Sequence, residues 1–324
     1  MRAAWYEKAG AADEVLVLGE LPTPEPGPGE VRIRVAASGI NVGDVKKRAD
    51  WLGFGMSHPL VIPHSDGAGV IDVVGEGVAA SRVGERVWCY HAQSYRAFGT
   101  AAEYVVLPEK LAIPLPDEVS FEQGACLGIP GMTAHRAVFA DGPVSGRSVL
   151  VTGAAGTVGL TAAQLALWGG ARVIATVRSA SDADMLRTKG IDEVVVTTVD
   201  GYEGELRALG PVDRIVEVAF DANIALSAEL LANGGVIAAY ASTSPEPTVP
   251  FWPLLFVNAT IRLLGSDDFP VDAERQAVRD LAQALREGAL GFRVAAAHPL
   301  GEIVAAHQAV ERATRGRVLV LPGA

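Results

Sequence analysis

The sequence predicts an α/β protein with two domains, one rich in β-structure and one built on a doubly wound parallel sheet. Its 324 residues exceed what a single hydrophobic core usually holds. The first part of the chain alternates apolar and polar residues with a period of two. From about residue 122, short apolar strands alternate with helical patterns. We therefore expect a β-rich domain at 1–121 and 268–324, and a parallel-sheet domain at 122–267.

The β-rich domain is predicted from alternating segments such as 30–35 and 70–74, separated by many glycines and by a proline-rich surface connection at 22–28. The tail adds helices at 272–287 and 301–312 and a last strand at 317–321. We expect this tail to rejoin the first domain.

The second domain is predicted from strands that are apolar along their whole length, as expected for strands buried on both faces of a parallel sheet. These strands are 148–152, 172–177, 193–196, 214–218 and 236–241. The helices between them are 157–167, 180–188 and 224–231, and glycines follow them as stop signals.

Composition excludes several classes of protein. The net charge of -11 and the pI near 5.1 disfavour nucleic acid as a partner. The sequence has no apolar run of membrane length and no signal-peptide pattern. Cys89 and Cys126 are too few for a disulfide framework, so we expect a cytoplasmic protein.

A glycine-rich turn follows the predicted strand at 148–152 and opens an Ala/Leu-rich helix. It has the form G-x-x-G-x-x-G, a variant of the common dinucleotide fingerprint G-x-G-x-x-G. Such a turn lets the backbone approach a pyrophosphate, and the N–H groups of the helix N-terminus face its charge. A tight turn without a ligand would need only one or two of these glycines. The predicted cofactor contacts here are Gly153, Ala155, Gly156, Thr157, Val158 and Gly159.

The end of the next strand indicates which dinucleotide is bound. Proteins that prefer NAD place an acidic residue there for the ribose 2′-hydroxyl, but this chain has Arg178 and Ser179. Arginine can clamp a 2′-phosphate and serine can donate a hydrogen bond to it, so NADPH is predicted. The alternative is that Arg178 is an ordinary surface arginine.

Several motifs in the correct order resemble the quinone oxidoreductases of the zeta-crystallin type, which are zinc-free medium-chain dehydrogenases/reductases. The resemblance covers nearly the whole chain and includes the glycine turn. Its other motifs are Gly39-Ile40-Asn41, the segments 65–70, 75–78, 84–87 and 128–134, Val216-Glu217 with Asn223, and Gly234-Gly235.

The resemblance implies a GroES-like catalytic domain and a Rossmann domain, with the cofactor in the cleft between them. It implies reduction of quinones, or of enones as in some relatives. It also suggests a homodimer formed through the edge of the Rossmann sheet, with the strand 260–264 as the candidate edge.

No zinc site is predicted. When the chain is aligned with zinc-dependent alcohol dehydrogenases, the positions of the catalytic ligands fall at Asn41, Ser65 and Ile129, none of which is a good zinc ligand. His64 lies one residue away, where an extended backbone would turn its side chain elsewhere. The other histidines, among them His307, lack metal-ligand spacing and are interpreted as surface or packing residues.

The predicted catalytic residues are Asn41, Asp44 and Lys46. Asn41 matches the active-site asparagine of the family and could donate through its amide, while Asp44 would orient its neighbours. The family commonly has tyrosine where this chain has Lys46. We expect Lys46 beside the nicotinamide, where it would donate to the developing oxyanion. A solvated lysine on a short helix is an equally good interpretation.

The resemblance also implies cofactor contacts after later strands of the sheet, where open α/β sheets bind ligands. They are Asn223, then Tyr240, Ala241 and Ser242, and finally Ser266 and Asp267. Core packing is an equally good explanation for Tyr240.

Two other functions are compatible with the sequence. The chain could be an enoyl reductase acting on thioesters or enones, although a basic rim for coenzyme A is not obvious. It could also be a crystallin-like or RNA-binding protein that binds NADPH with little turnover, although its acidic charge disfavours RNA.

Overall fold

The computed structural model describes residues 1–324 and contains fifteen strands and eleven α-helices. The strands are β1 (Arg2–Trp5), β2 (Val17–Glu20), β3 (Glu30–Gly39), β4 (Asp66–Val74), β5 (Arg86–Cys89), β6 (Tyr104–Pro108), β7 (Ala112–Pro114), β8 (Ser148–Val151), β9 (Arg172–Val177), β10 (Glu193–Val196), β11 (Val212–Glu217), β12 (Leu231–Ala239), β13 (Thr260–Leu263), β14 (Val294–Pro299) and β15 (Arg317–Leu321). The helices are α1 (Ala12–Val15), α2 (Val42–Arg48), α3 (Phe121–Gly124), α4 (Gly128–Phe139), α5 (Thr157–Trp168), α6 (Ala180–Arg187), α7 (Tyr202–Ala208), α8 (Phe220–Leu230), α9 (Phe251–Phe256), α10 (Val271–Arg286) and α11 (Ile303–Glu311). Single 3-10 turns occur at Ala80–Arg82, Glu109–Leu111, Ser266–Asp268 and Leu300–Glu302.

The chain divides into two compact units, Met1–Pro130 with Phe292–Ala324, and Gly131–Gly291. The sequence placed α10 in the first domain, but this helix belongs to the second unit. Its buried residues repeat at helical spacing and include Leu281, whose side chain lies 3.2 Å from where a Cβ at Gly131 would stand. In addition, Asp280 and the His135 ring are 2.7 Å apart. Both boundaries between the two units, after Pro130 and after Gly291, therefore lie later in the chain than the sequence pattern indicated.

The first unit contains a mainly antiparallel sheet in the order β14-β15-β3-β4-β5-β7, with β6 paired to β3. β1 and β2 form a separate antiparallel pair. The long strand β3 is buried at alternate residues, including Val31, Ile33 and Val35, as its period-two sequence predicted. β15 pairs with β3, so the C-terminal tail rejoins this unit as expected.

The second unit contains a six-stranded sheet in the order β10-β9-β8-β11-β12-β13, and every pair in it is parallel. The order reverses at β8 and β11, so the sheet is doubly wound as predicted. The core contains Leu150, Ile174, Ile215 and Ile237, one residue from each of four central strands. Carboxyl ends of all six strands therefore lie along one edge of the sheet.

Most predicted elements are present, with shifts at their ends. β9, β10 and β15 have the predicted bounds, whereas β12 begins at Leu231, which the sequence assigned to a helix. The short helix α7 and strand β14 were not predicted. None of the helices combines the length and the apolar character needed to cross a membrane.

Candidate active site

The first candidate cluster is built at the start of α2. Asn41 has extended backbone angles and precedes the helix, and the Asp44 carboxylate accepts a hydrogen bond from its N–H at 2.7 Å. This is the contact that an acidic residue makes three positions after an N-cap. Asp44 thus orients the backbone of Asn41.

The side chain of Asn41 is held by two charged residues from distant parts of the chain. Its amide nitrogen donates to Asp66 Oδ2 at 2.8 Å, and its amide oxygen accepts from Arg317 Nη1 at 2.6 Å. Arg317 Nη2 also donates to Asp66 Oδ2 at 2.5 Å, and the N–H of Ile129 donates to Asp66 Oδ1 at 2.8 Å. One amide N–H of Asn41 remains after these contacts.

Charge in this cluster is almost completely withdrawn from water. The side chains of Arg317 and Asp66 are 3% and 0% exposed. Removing one partner of such a pair leaves a buried charge, which costs about 3–5 kcal/mol. Nearby, burial raises the pKa of Asp44 to about 7, although the hydrogen bond from Asn41 opposes this shift.

Lys46 lies on the same helix but does not join this cluster. Its ammonium nitrogen is 4.4 Å from the centroid of the Trp51 ring, which is a cation–π contact. Trp51 begins a loop in which Gly53 and Gly55 have positive φ and Phe54 is 85% exposed. The loop therefore presents aromatic surface beside a cation.

The second candidate cluster is the glycine turn between β8 and α5. Gly153 has a φ of +61°, and a Cβ at Gly159 would lie 2.5 Å from the oxygen of Gly153. The turn therefore excludes side chains where the backbone folds closely on itself. Gly156 caps α5 without a side-chain hydrogen bond, so the N–H groups of Thr157 and Val158 have no cap acceptor. This arrangement fits the pyrophosphate of a dinucleotide.

Arg178 and Ser179 lie at the carboxyl end of β9, as predicted. Arg178 is exposed, and its guanidinium has no partner in the chain. Ser179 is the N-cap of α6, and its hydroxyl donates to Asp182 at 2.7 Å while it accepts from the Asp182 N–H. Arg178 is thus available to an anion, whereas Ser179 already serves the helix and a carboxylate.

Asn223 lies on α8 and contacts Glu217, a fully buried acid at the end of β11. Glu217 Oε1 accepts from Asn223 Nδ2 at 2.9 Å, from the Thr152 hydroxyl at 2.8 Å and from the Ala219 N–H at 2.6 Å. Glu217 has no cationic partner, and burial raises its pKa. These bonds join the end of β8, which leads into the glycine turn, to β11.

The other predicted cofactor contacts follow β12 and β13. The Tyr240 N–H donates to the main-chain oxygen of Glu217 at 3.1 Å, and the main-chain oxygen of Ala241 accepts from the Phe220 N–H at 3.1 Å. The Ser242 hydroxyl donates to Asp221 and to the Ser244 oxygen. Ser266 and Asp267 are half-buried and begin the 3-10 turn Ser266–Asp268 after β13. All of them lie at the edge where the strands end.

His64 departs from the extended conformation that the sequence suggested. Its φ is +78°, and its ring is fully buried, with Nε2 2.9 Å from Nε2 of His307. His307 is also fully buried, so it is a hydrogen-bonded core residue. Sequence spacing gave no sign that these two histidines meet.

The structure thus groups most of the predicted residues into two clusters, one in each unit, and Lys46 lies on α2 outside the first of them. Asn41 and Asp44 are in contact in the first unit, and the glycine turn, Arg178 and Asn223 lie along one sheet edge in the second. The sequence missed Asp66, Arg317 and Thr152 as supporting residues. Asp66 lies within a recognised motif, but nothing in the pattern connects it to Arg317, which opens the last strand.

Comparison with known proteins follows the same division. Residues 27–117 match the alcohol dehydrogenase GroES-like domain, and residues 157–283 match the zinc-binding dehydrogenase family. The quinone oxidoreductase of Rattus norvegicus is 33% identical over 239 residues, which cover 72% of this chain and 71% of the rat protein. The β-rich unit is therefore GroES-like and the parallel-sheet unit is a Rossmann domain, as predicted.

Solved structures extend the similarity over the whole chain. An NAD-dependent alcohol dehydrogenase is 30% identical with a TM-score of 0.87, covering 99% of both chains. The quinone oxidoreductase of Thermus thermophilus, solved also with NADPH, is 27% identical with a TM-score of 0.82, covering 99% of this chain and 100% of its own. The chain belongs to the quinone oxidoreductase family of the medium-chain dehydrogenases/reductases, and it is an oxidoreductase of that superfamily.

Proposed function

We propose that this protein uses NADPH to reduce a quinone or a similar conjugated carbonyl compound, without a metal ion. The observation that carries the proposal is the Asn41–Asp66–Arg317 cluster. In zinc-dependent relatives, two of the zinc ligands stand at the positions of Asn41 and Ile129. Here the Asn41 amide is bound to the guanidinium of Arg317, and Ile129 is apolar. A buried guanidinium repels a metal cation, and neither residue is a zinc ligand of ordinary strength.

A nicotinamide dinucleotide fits the second unit, because the glycine turn and the start of α5 present N–H groups to a pyrophosphate. Arg178 favours NADPH, since its exposed guanidinium can pair with a 2′-phosphate. One of the similar structures is of an NAD-dependent enzyme, so the preference rests on Arg178 and not on the fold. The bound cofactor would supply hydride to the substrate.

The residues of the first unit would manage the charge that develops on the substrate oxygen. Without a Lewis acid, a hydride acceptor must already be electron-poor, as quinones and enones are. Lys46 would donate from its ammonium group, and Asn41 from the amide N–H that is left after its bond to Asp66. Asp44 would act through Asn41, by fixing its backbone N–H.

We further propose that two copies of the chain associate through β13. This strand is the last in its sheet and pairs only with β12, so its other edge is open to another strand. Large apolar side chains are exposed on β13 and on the preceding helix α9, including Leu263 and Phe256 at 73% each. A second copy of the same edge would cover both the strand and this apolar surface.

The test of the proposed function is oxidation of NADPH, with NADH as control, against benzoquinones, naphthoquinones, simple enones and an enoyl thioester. We expect quinones to be turned over fastest, and NADPH to be used in preference to NADH. Turnover of enones or thioesters alone would assign the enzyme to ene reduction. Tight NADPH binding with no turnover across the panel would favour a binding protein.

A further inference from the structure

Four buried polar side chains form a continuous chain of hydrogen bonds through the first unit. They are His307 on α11, His64 just before β4, Ser38 on β3 and Thr100 before β6, and all are fully buried. The His307 and His64 Nε2 atoms are 2.9 Å apart, and His64 Nδ1 is 2.8 Å from Ser38 Oγ. Ser38 Oγ is 2.7 Å from Thr100 Oγ1, which is 2.6 Å from the main-chain oxygen of Asp66.

The last bond determines the direction of all the others. A carbonyl oxygen can only accept, so the Thr100 hydroxyl must donate to Asp66. Thr100 Oγ1 then accepts from the Ser38 hydroxyl, which in turn accepts from His64 Nδ1–H. When the His64 ring is neutral, its Nε2 is then bare, and His307 must carry its proton on Nε2 to donate to it.

Neutral rings are what this environment favours. Burial lowers the pKa of His64 well below its usual range, and it lowers the pKa of His307 to about 3. The positive charge of Arg317 further disfavours protonation of His64, and that of Arg48 further disfavours protonation of His307. The donor-to-acceptor direction of the hydrogen-bond chain is therefore the same across the neutral pH range.

The hydrogen-bond chain supports a backbone conformation that residues other than glycine seldom adopt. His64 has a φ of +78°, which is uncommon outside glycine and persists only where the surroundings fix it. The main chain is also tied to the neighbouring segment, because the Thr100 N–H donates to the His64 oxygen at 3.0 Å. The next residues after this bend place Asp66.

Asp66 connects the chain to the candidate active site. Its main-chain oxygen receives the last hydrogen bond of the chain, and its carboxylate holds the Asn41 amide at 2.8 Å. A displacement of the Asp66 backbone would therefore move Asn41. The four residues of the chain do not themselves contact Asn41 through any hydrogen bond in the structure.

We propose that His307 and His64 are positioning residues, which fix Asp66, and through it the Asn41 amide, by a one-way hydrogen-bond chain. The inference rests on the proposed function, because Asn41 is assigned its role there. The existence and direction of the chain can be measured without any turnover.

The direction is tested by nitrogen NMR of the ¹⁵N-histidine-labelled protein at pH 7, with the two rings assigned from spectra of His64→Asn and His307→Gln. We expect protonated Nδ1 and bare Nε2 in His64, and the reverse in His307. A His64 ring protonated on Nε2, or a charged ring at either position, would overturn the proposal whatever the enzyme reduces.

The positioning role is tested with matched substitutions at the two ends of the chain. Thr100→Val has the same shape but cannot donate to Asp66, and His307→Leu cannot donate to His64. His307→Gln keeps a donor near the position of Nε2. For the acceptor that the wild type reduces fastest, we expect kcat to fall at least tenfold in Thr100→Val and His307→Leu. We expect His307→Gln to retain at least half of the wild-type kcat. The KM for NADPH should stay within about twofold of the wild-type value in all three variants.

A folded Thr100→Val protein with wild-type kcat would show that the chain serves packing alone. If His307→Leu does not fold, the Thr100→Val and His307→Gln pair still decides the question. If the wild type reduces no acceptor in the panel, the proposed function fails separately, and the Asn41 side-chain amide resonance becomes the measurement. That resonance should shift in Thr100→Val and stay near its wild-type position in His307→Gln; an unchanged resonance in Thr100→Val would refute positioning.

Discussion

The ammonium of Lys46 lies over the indole ring of Trp51, 4.4 Å from its centroid. The ring can hold this cation in place without neutralising it, because a cation–π contact leaves the charge of the ammonium unpaired. A lysine held in this way differs from a freely moving surface lysine, and the difference is measurable in turnover.

Replacing Lys46 by methionine should lower kcat about 10- to 100-fold at saturating NADPH. The change removes the ammonium but keeps a long apolar side chain. Loss of one donor from a water-excluded oxyanion site costs about 100- to 1,000-fold, and the half-buried Lys46 should contribute less than that. Lys47→Met, at the exposed neighbouring position, is the matched control and should retain kcat. Full activity in Lys46→Met would leave the solvated-lysine interpretation standing.

The role of Trp51 follows from a double-mutant cycle with Trp51→Leu. If the ring positions the ammonium, Trp51→Leu should lower kcat several-fold in the wild type and have little further effect in Lys46→Met. Equal effects in both backgrounds would mean that Trp51 contacts the substrate independently of Lys46.

Replacing Arg178 by alanine should weaken NADPH binding by about 1.5–3 kcal/mol, or roughly 10- to 150-fold in Kd. The reason is the loss of a charge-assisted bond to the 2′-phosphate, which NADH lacks, so the Kd of NADH should not change. Binding of both cofactors is measured by fluorescence titration. Arg187→Ala, in the last turn of α6, is the control. A parallel loss for NADPH and NADH would place Arg178 elsewhere in the cofactor site.

How well the sequence predicted a feature depended on whether that feature is formed by residues close together in the chain. The glycine turn and the strands β9 and β10 follow from apolar runs and glycines close together in the chain, and their positions agree with the structure. The start of β12 was placed too late, because residues 231–235 carry glycines and a polar residue that suggest a loop. Tertiary pairing with β11 overrides that local preference.

The support for the candidate site was not predictable from the same signals. Asp66 and Arg317 are separated by most of the chain, and they are brought together by the pairing of β15 with β3 and of β3 with β4. Likewise, Ser179 was expected to serve the cofactor, but the start of α6 already uses its hydroxyl as a cap. A hydrogen-bonding side chain can be identified from sequence, while the partner that occupies it cannot.

Replacing Leu263 by arginine should prevent the proposed association of two copies through β13. A charge on the exposed edge strand β13 disfavours pairing with a second copy, because each copy would carry the same charge at the interface. Sedimentation velocity at micromolar concentration measures the change. Val199→Arg, at another exposed apolar position after β10, should remain dimeric. A wild-type monomer, or a dimeric Leu263→Arg, would exclude this edge as the interface.

Asp44 should make the free energy of unfolding fall as the pH rises from about 4 to about 7. Its pKa is raised from 3.8 to about 7 by burial, with the nearby Asp66 adding to the shift, while Lys47 and Arg317 oppose it. Between these values the folded state holds a proton that the unfolded state has released, so each pH unit costs up to about 1.4 kcal/mol of stability.

Asp44→Asn removes this dependence while keeping an oxygen that can accept from the Asn41 N–H. The free energy of unfolding of the variant, relative to the wild type, should therefore increase by about 1–4 kcal/mol between pH 5 and pH 8 in urea titrations. Asp141→Asn is the matched control. Arg262 and Arg214 lower the pKa of Asp141 to about 2, so this carboxylate stays ionised throughout that interval and its replacement should give a constant difference. If the Asp44→Asn difference is also constant, Asp44 is ionised at pH 5, and its charge is then stabilised by the Asn41 N–H and the neighbouring cations despite its burial.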